Sequence, residues 1–262
     1  MKANLSYNIL NEFCNVRNEE NSLKGFKNPH TNRVNFILDT IFDLDLLTSF
    51  KLNVDIFENT NGLKFANIEL GRNVGTNGSV MFIAHHDVNN VNSDNCQDNT
   101  ASISNLLSLA YHFCINEPNK NLYIVFTDCE EFGGKGAKRL AERIESGYFG
   151  EVEYVVNLEL TANGNNLWSD KDNFKNESKL ADKILSLTDV FEVRTPFNDS
   201  VVLRGRGIDS VCIGTLTDSE MEQVMLKGYC KTWALCHKKE DTFESANAKD
   251  MDSFVEFLIK LV

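Results

Sequence analysis

Three apolar runs constrain this chain more than any other feature. SVMFIAHH (79 to 86), LYIVFTD (122 to 128) and VEYVVNLEL (152 to 160) each carry consecutive apolar residues and run into histidine or an acid. A strand with one wet face alternates polar and apolar side chains, whereas unbroken runs suit central strands buried on both faces. Between the runs the period becomes helical. TASISNLLSLAYHF (100 to 113) sets Ile103, Leu106, Leu107, Ala110 and Phe113 on one stripe, and GAKRLAERIES (136 to 146) and SKLADKILSLTD (178 to 189) follow it. VNFILDTIFDLDLL (34 to 47) and the closing KDMDSFVEFLIKLV also read as helices. FKLNVDIFEN and LKFANIEL read as paired strands, with VVLRG and IDSVCIG as later ones. This alternation predicts an α/β fold: a mostly parallel central sheet with antiparallel edge strands and helices on both faces. No linker or repeat divides the sequence, so residues 1–262 are expected to form a single domain.

Composition narrows the partners. Lys+Arg number 26 against 38 Asp+Glu, a net charge of -12 that repels phosphate backbones, so nucleic acid is not an expected partner. No apolar stretch approaches the roughly 18 residues that cross a bilayer, so no membrane partner is expected either. The N-terminus shows no apolar leader core with a small-residue cleavage site. Seven cysteines occur without a CxxC pair, which argues against a zinc ribbon or a thioredoxin motif. A reduced, cytoplasmic protein is the expectation.

In such sheets ligands bind beyond the carboxyl ends of the central strands. After the first run stand His85, His86 and Asp87. Side chains alternate in extended chain, so His85 and Asp87 share one side and His86 faces the other. A histidine beside a carboxylate suits a metal ligand whose tautomer the acid fixes; a polar strand end would look the same. Asp98 and Asn99, just before a helix, read alone as N-cap residues. Glu130 and Glu131 follow the second run. Two acids at a buried strand end need a cation nearby, or else they start the next helix. Beside a metal, one could ligate while the other stays free as a general base. Glu159 ends the third run, and ALCHKKEDTFES supplies His237 with Asp241 four residues on.

Taken together, AHHD (84 to 87), DNTAS (98 to 102), EEFGGKGA (130 to 137), NLEL (157 to 160) and HKKEDT (237 to 242) resemble the zinc-dependent aminopeptidase family. That family includes bacterial leucyl aminopeptidases, glutamate carboxypeptidases and glutaminyl cyclases. The resemblance runs from about residue 79 to the C-terminus, and the first 60 or so residues add nothing specific to it. It implies a zinc-peptidase (phosphorylase/hydrolase-like) fold and two zinc ions per chain. Asp98 would bridge the ions, His85 and Glu159 would complete one shell, and Glu131 and His237 the other. Glu130 would be the general base, Asp87 would orient His85, and the Asp98–Asn99 bond would be cis. The substrate implied is a peptide or small amide, and the activity most directly implied is that of an aminopeptidase. Four carboxylates would then share one pocket, near neutrality with two dications and strongly self-repelling without them.

One position departs from the family pattern. Aminopeptidases usually carry Asp where this chain has Glu159, and Glu at that place tends to accompany carboxypeptidase or deacylase activity. A mono-zinc glutaminyl cyclase-like acyltransferase is a further alternative. A relative with a large inserted lid fits poorly, because too few residues separate NLEL from HKKEDT. A non-catalytic binding protein of the same fold would usually have lost ligands, and here every position holds a ligating type. A thiol enzyme based on Cys129 or Cys96 has no histidine beside either except through the metal positions. His30 and His112 read as surface or packing residues, His86 as structural, and NDS (198 to 200) as loop.

Overall fold

The three apolar runs form the middle of an eight-stranded mixed sheet in the computed structural model, which describes residues 2–17, 30–58, 62–89, 91–170, 178–195 and 197–262. The strands are β1 (Lys51–Glu58), β2 (Lys64–Arg72), β3 (Ser79–His85), β4 (Asn121–Thr127), β5 (Val152–Leu158), β6 (Asn166–Asp170), β7 (Phe191–Val193) and β8 (Ser210–Leu216). Their order is β1-β2-β4-β3-β5-β8-β6-β7. The inner four, β4, β3, β5 and β8, run parallel. β2 joins β4, β1 joins β2, and β6 joins β8, all antiparallel, while β7 is parallel to β6. The mainly parallel sheet with antiparallel edges is therefore present, as a single α/β domain.

The helices described are α1 (Leu5–Phe13), α2 (Thr31–Asp43), α3 (Ala101–Ile115), α4 (Lys135–Glu145), α5 (Lys179–Leu187), α6 (Asp199–Gly205), α7 (Asp218–Lys227), α8 (Lys231–Leu235) and α9 (Ala248–Ile259). None is long and apolar enough to cross a membrane. Even-numbered residues of β3, such as Val80, Phe82 and Ala84, join one core with Ile37 and Ile41 of α2, Leu106 of α3 and Val255 of α9. Odd-numbered Met81 and Ile83 join the opposite core with Leu140 of α4 and Leu203 of α6. Burying such side chains stabilises the fold by about 1.5–3 kcal/mol each, enough to fix the strand register. That parity decides which side each residue beyond the strand end will face.

One element differs from the sequence reading. VVLRG is not a strand but the body of α6, with Leu203 buried and Val201 partly exposed. A short apolar run cannot separate strand from helix by period. Here Asp199 in the first turn and Arg204 in the last favour the helix through its dipole. The NDS segment is likewise not loop throughout, since Asn198 caps this helix and Asp199 and Ser200 belong to it.

Candidate metal centre

Parallel strands deliver their carboxyl ends to one edge, and the registers pair His85 with Thr127 and Ile83 with Asn157. Two residues further on, Glu159 therefore comes level with His85. His85 Nε2 lies 3.5 Å from Glu159 Oε2 and 3.2 Å from Asp98 Oδ1. The other oxygen of the same carboxylate, Asp98 Oδ2, lies 3.2 Å from His237 Nε2, which is 2.9 Å from Glu131 Oε2. Two triads result, His85–Asp98–Glu159 and Asp98–Glu131–His237, each with its ligand atoms within 4.8 Å of one another. Asp98 gives one oxygen to each.

Each ligand is fixed by its own local device. Asp87 accepts the backbone N–H of Glu130 at 3.0 Å and of Glu131 at 3.1 Å, while its Oδ1 stands 3.4 Å from His85 Nδ1. One carboxylate thus aligns the histidine and ties down the paired glutamates. Gly136 lets α4 start against β4, because a Cβ there would fall 2.2 Å from the Asp128 carbonyl. The Asp98–Asn99 peptide is cis, and the Asn99 amide donates to Leu158 O at 2.8 Å, stitching this turn to β5. Asp241 accepts the N–H groups of Gln97 (2.9 Å) and Asp98 (3.1 Å), which couples the His237 loop to the bridging aspartate. Cys129, Leu160 and His237 all take positive φ (62°, 56° and 64°), so strained non-glycine backbone adjoins Glu130 and Glu159 and forms the His237 position.

Burial and mutual charge shape the protonation of the cluster's side chains. Burial, aided by Glu159 and other acids, pushes Glu130 up to about 10. Burial also raises Glu131 to about 7 and lifts Glu159. Burial opposes the charged form of Asp98 too, yet hydrogen bonds from His237 and His85 outweigh it and hold that carboxyl well below its ordinary range. His85 is driven the other way, since Glu159, Asp87 and Asp98 overcome the burial that would lower it. The raised carboxyl groups are the mark of the mutual repulsion that the resemblance implies for this pocket.

The donor set fits zinc. Tetrahedral zinc with bonds of about 2.0–2.2 Å places its ligand atoms about 3.3–3.6 Å apart. The four contacts above lie within a few tenths of an ångström of that spacing. Glu130, 9% exposed, joins both triads in lining a cavity of about 430 Å³ whose walls include Leu160, Trp168, Phe197 and Trp233.

A model of peptidase family M28 matches residues 66–262, well over half of the chain. The chain belongs to peptidase family M28. Membership places it among the zinc-dependent hydrolases. Comparison with curated protein sequences gives no match. Among solved structures, this M28 chain is similar to Bacteroides thetaiotaomicron glutaminyl cyclase bound to N-acetylhistamine. The identity is 13%, covering 100% of this chain and 97% of that one, with a TM-score of 0.76. It is similar to a leucine aminopeptidase precursor from the same organism at 14% identity, with 100% and 96% covered and a TM-score of 0.76. Fimbriiglobus ruber glutaminyl cyclase gives 14% identity, 98% and 93% coverage and a TM-score of 0.77. At these identities the shared property is the fold.

All seven residues singled out in the sequence converge at this M28 site. His86 turns away, its Nε2 2.8 Å from Ala66 O. His30 is not on the surface: it is 2% exposed and lies 3.3 Å from Asp128. His112 sits on α3 edge-on to Phe113, outside the site. Cys129 and Cys96 are buried, and burial raises the Cys129 thiol, so neither has a nucleophile's surroundings. Two acids near the site received no role from the sequence. Asp241 was visible only by its spacing from His237. Asp199 is fully buried, accepts Thr127 Oγ1 at 2.6 Å, and is raised by burial to about 7. Its signal lay in NDS, and only the packing of α6 carries it inward.

Proposed function

We propose that the chain is a dizinc aminopeptidase that removes N-terminal residues from peptides, with residues 1–262 as one catalytic domain. The observation that carries this reading is the split allegiance of Asp98, whose two oxygens face two separate histidine–carboxylate pairs. His85, Asp98 and Glu159 would hold one ion, and Asp98, Glu131 and His237 the other. When bound, such ions polarise a scissile carbonyl and acidify water. Glu130 is the general base. Its backbone is pinned to Asp87, its carboxyl lines the cavity, and it belongs to neither triad. A dication alongside would bring its raised pKa down toward working range, so that it takes a proton from the attacking water and delivers it to the leaving amine. Asp87 keeps His85 oriented throughout.

Elemental analysis and a substrate panel test this reading. Two zinc ions per chain and cleavage restricted to free-amino substrates are expected. Glu159 favours a second reading, because it replaces the usual Asp and makes the longest of the four contacts. One ion per chain with turnover of N-terminal glutamine would establish a mono-zinc cyclase instead, and turnover of N-acyl amino acids or blocked peptides a deacylase or carboxypeptidase. We place the activity in a reducing, cytoplasmic setting, supported by seven free cysteines, and cell fractionation tests that placement.

A further inference from the structure

α2 begins at the back of the ligand cluster. Its Arg33 is 1% exposed, yet its guanidinium Nε donates to His86 O at 2.5 Å and its NH2 to Thr100 Oγ1 at 3.0 Å. The first acceptor is the carbonyl of His86, the residue between His85 and Asp87. The second follows directly on Asp98–Asn99. Residue 30, which caps the same helix, brings His30 Nδ1 to 3.3 Å from Asp128 Oδ1, at the start of the loop bearing Glu130 and Glu131. One helical turn therefore touches three loops that carry candidate ligands.

We infer that this turn is a working part of the metal centre, with Arg33 as the positioning residue that locks the His85–Asp87 strand end to the Asp98 turn. The inference rests on the metallohydrolase reading above. Three observations carry it. The contacts are to backbone and hydroxyl oxygens, and the guanidinium stacks 4.2 Å over the Phe13 ring, so its position is fixed on three sides. A buried guanidinium cannot shed its charge, and no carboxylate among the described residues is paired with it directly. Burial lowers its pKa to about 10, and the neighbouring Cys14, Asp87 and Asp98 oppose that shift. Arg33 lies outside the segment matched by the family model, so this part of the site belongs to the N-terminal helices of this chain.

The test compares wild type, Arg33→Met and Arg33→Lys, purified at full length. The readouts are zinc affinity by chelator competition, the visible spectrum of the cobalt-substituted protein, and kcat against KM. Loss of a residue that supports metal ligands typically weakens affinity or activity about 10–100-fold, and that range is expected for Arg33→Met, with an altered cobalt spectrum and most of the rate loss in kcat. Arg33→Lys, which keeps charge but not the two-armed link, should fall between. Ile37→Ala, elsewhere on α2, controls for simple destabilisation and should leave zinc affinity and the cobalt spectrum unchanged. If Arg33→Met does not fold, Arg33→Lys and Thr100→Val, which removes one acceptor, carry the test. Unchanged affinity and spectrum in the folded Arg33 and Thr100 variants of a metal-binding wild type would overturn this inference alone. A wild type that binds no metal would overturn the underlying site reading as well.

Discussion

His85 and His86 are adjacent and almost wholly buried, and each has an aspartate oxygen within 4 Å, yet their surroundings drive them in opposite directions. His85 faces a cavity shared with Asp98 and Glu159, and these acids raise its pKa well above the ordinary histidine range against the effect of burial. His86 faces the sealed side under α2, where burial outweighs the pull of Asp128 and lowers its pKa. A histidine–aspartate contact is thus common to both sides of the strand end. What separates them is the number of carboxylates brought together and the open volume beside them. A metal centre is made by convergence, and the histidine alone does not announce it.

Breaking the cavity side should have the largest consequences. Glu130→Gln removes the proton carrier while leaving both triads intact; kcat should fall about 10²–10⁴-fold with zinc content unchanged, and substantial residual turnover would sink the assignment. His85→Ala should lose metal from its triad together with activity, as elemental analysis would show. Chelation comes next in size. A metal present at about a hundred times its Kd contributes about 2.7 kcal/mol, so its removal should lower the melting temperature by about 5–10 °C. An unchanged melt after confirmed metal removal would count against the site. The sealed side should respond least. His86→Ala leaves the backbone carbonyl that Arg33 grips, so zinc content and activity should persist, with a stability loss of about 1–3 kcal/mol by chemical denaturation. Should His86→Ala lose metal and His85→Ala keep it, the strand parity argued here is wrong.

Strand parity is also why so much of the site could be read in advance. Side chains alternate strictly, so once the run ending at Ala84 is known to be buried on both faces, His85 and Asp87 must share a side. The same holds for Asn157 and Glu159 at the end of β5. Asp98 was harder, because its local appearance is that of a helix cap and only its company gave it a function. VVLRG was misleading for a related reason: too short to show a period, it took its helical form from its ends and from packing against α4. The opening residues offered no motif at all, yet two of them, His30 and Arg33, press against the ligand loops.

By itself, the sequence determined the central strands, the face on which each strand-end residue lies and which residues have a ligating chemistry, because these follow from local periodicity and residue type; the ligand roles came from the resemblance of the motifs taken together. Only the tertiary structure decided that the two oxygens of Asp98 part toward different histidines, that Asp199 and Asp241 turn inward, and that α2 sets a buried cation behind the cluster. Those are meetings between segments far apart in the chain. They depend on sheet order and helix packing, and no local pattern encodes them.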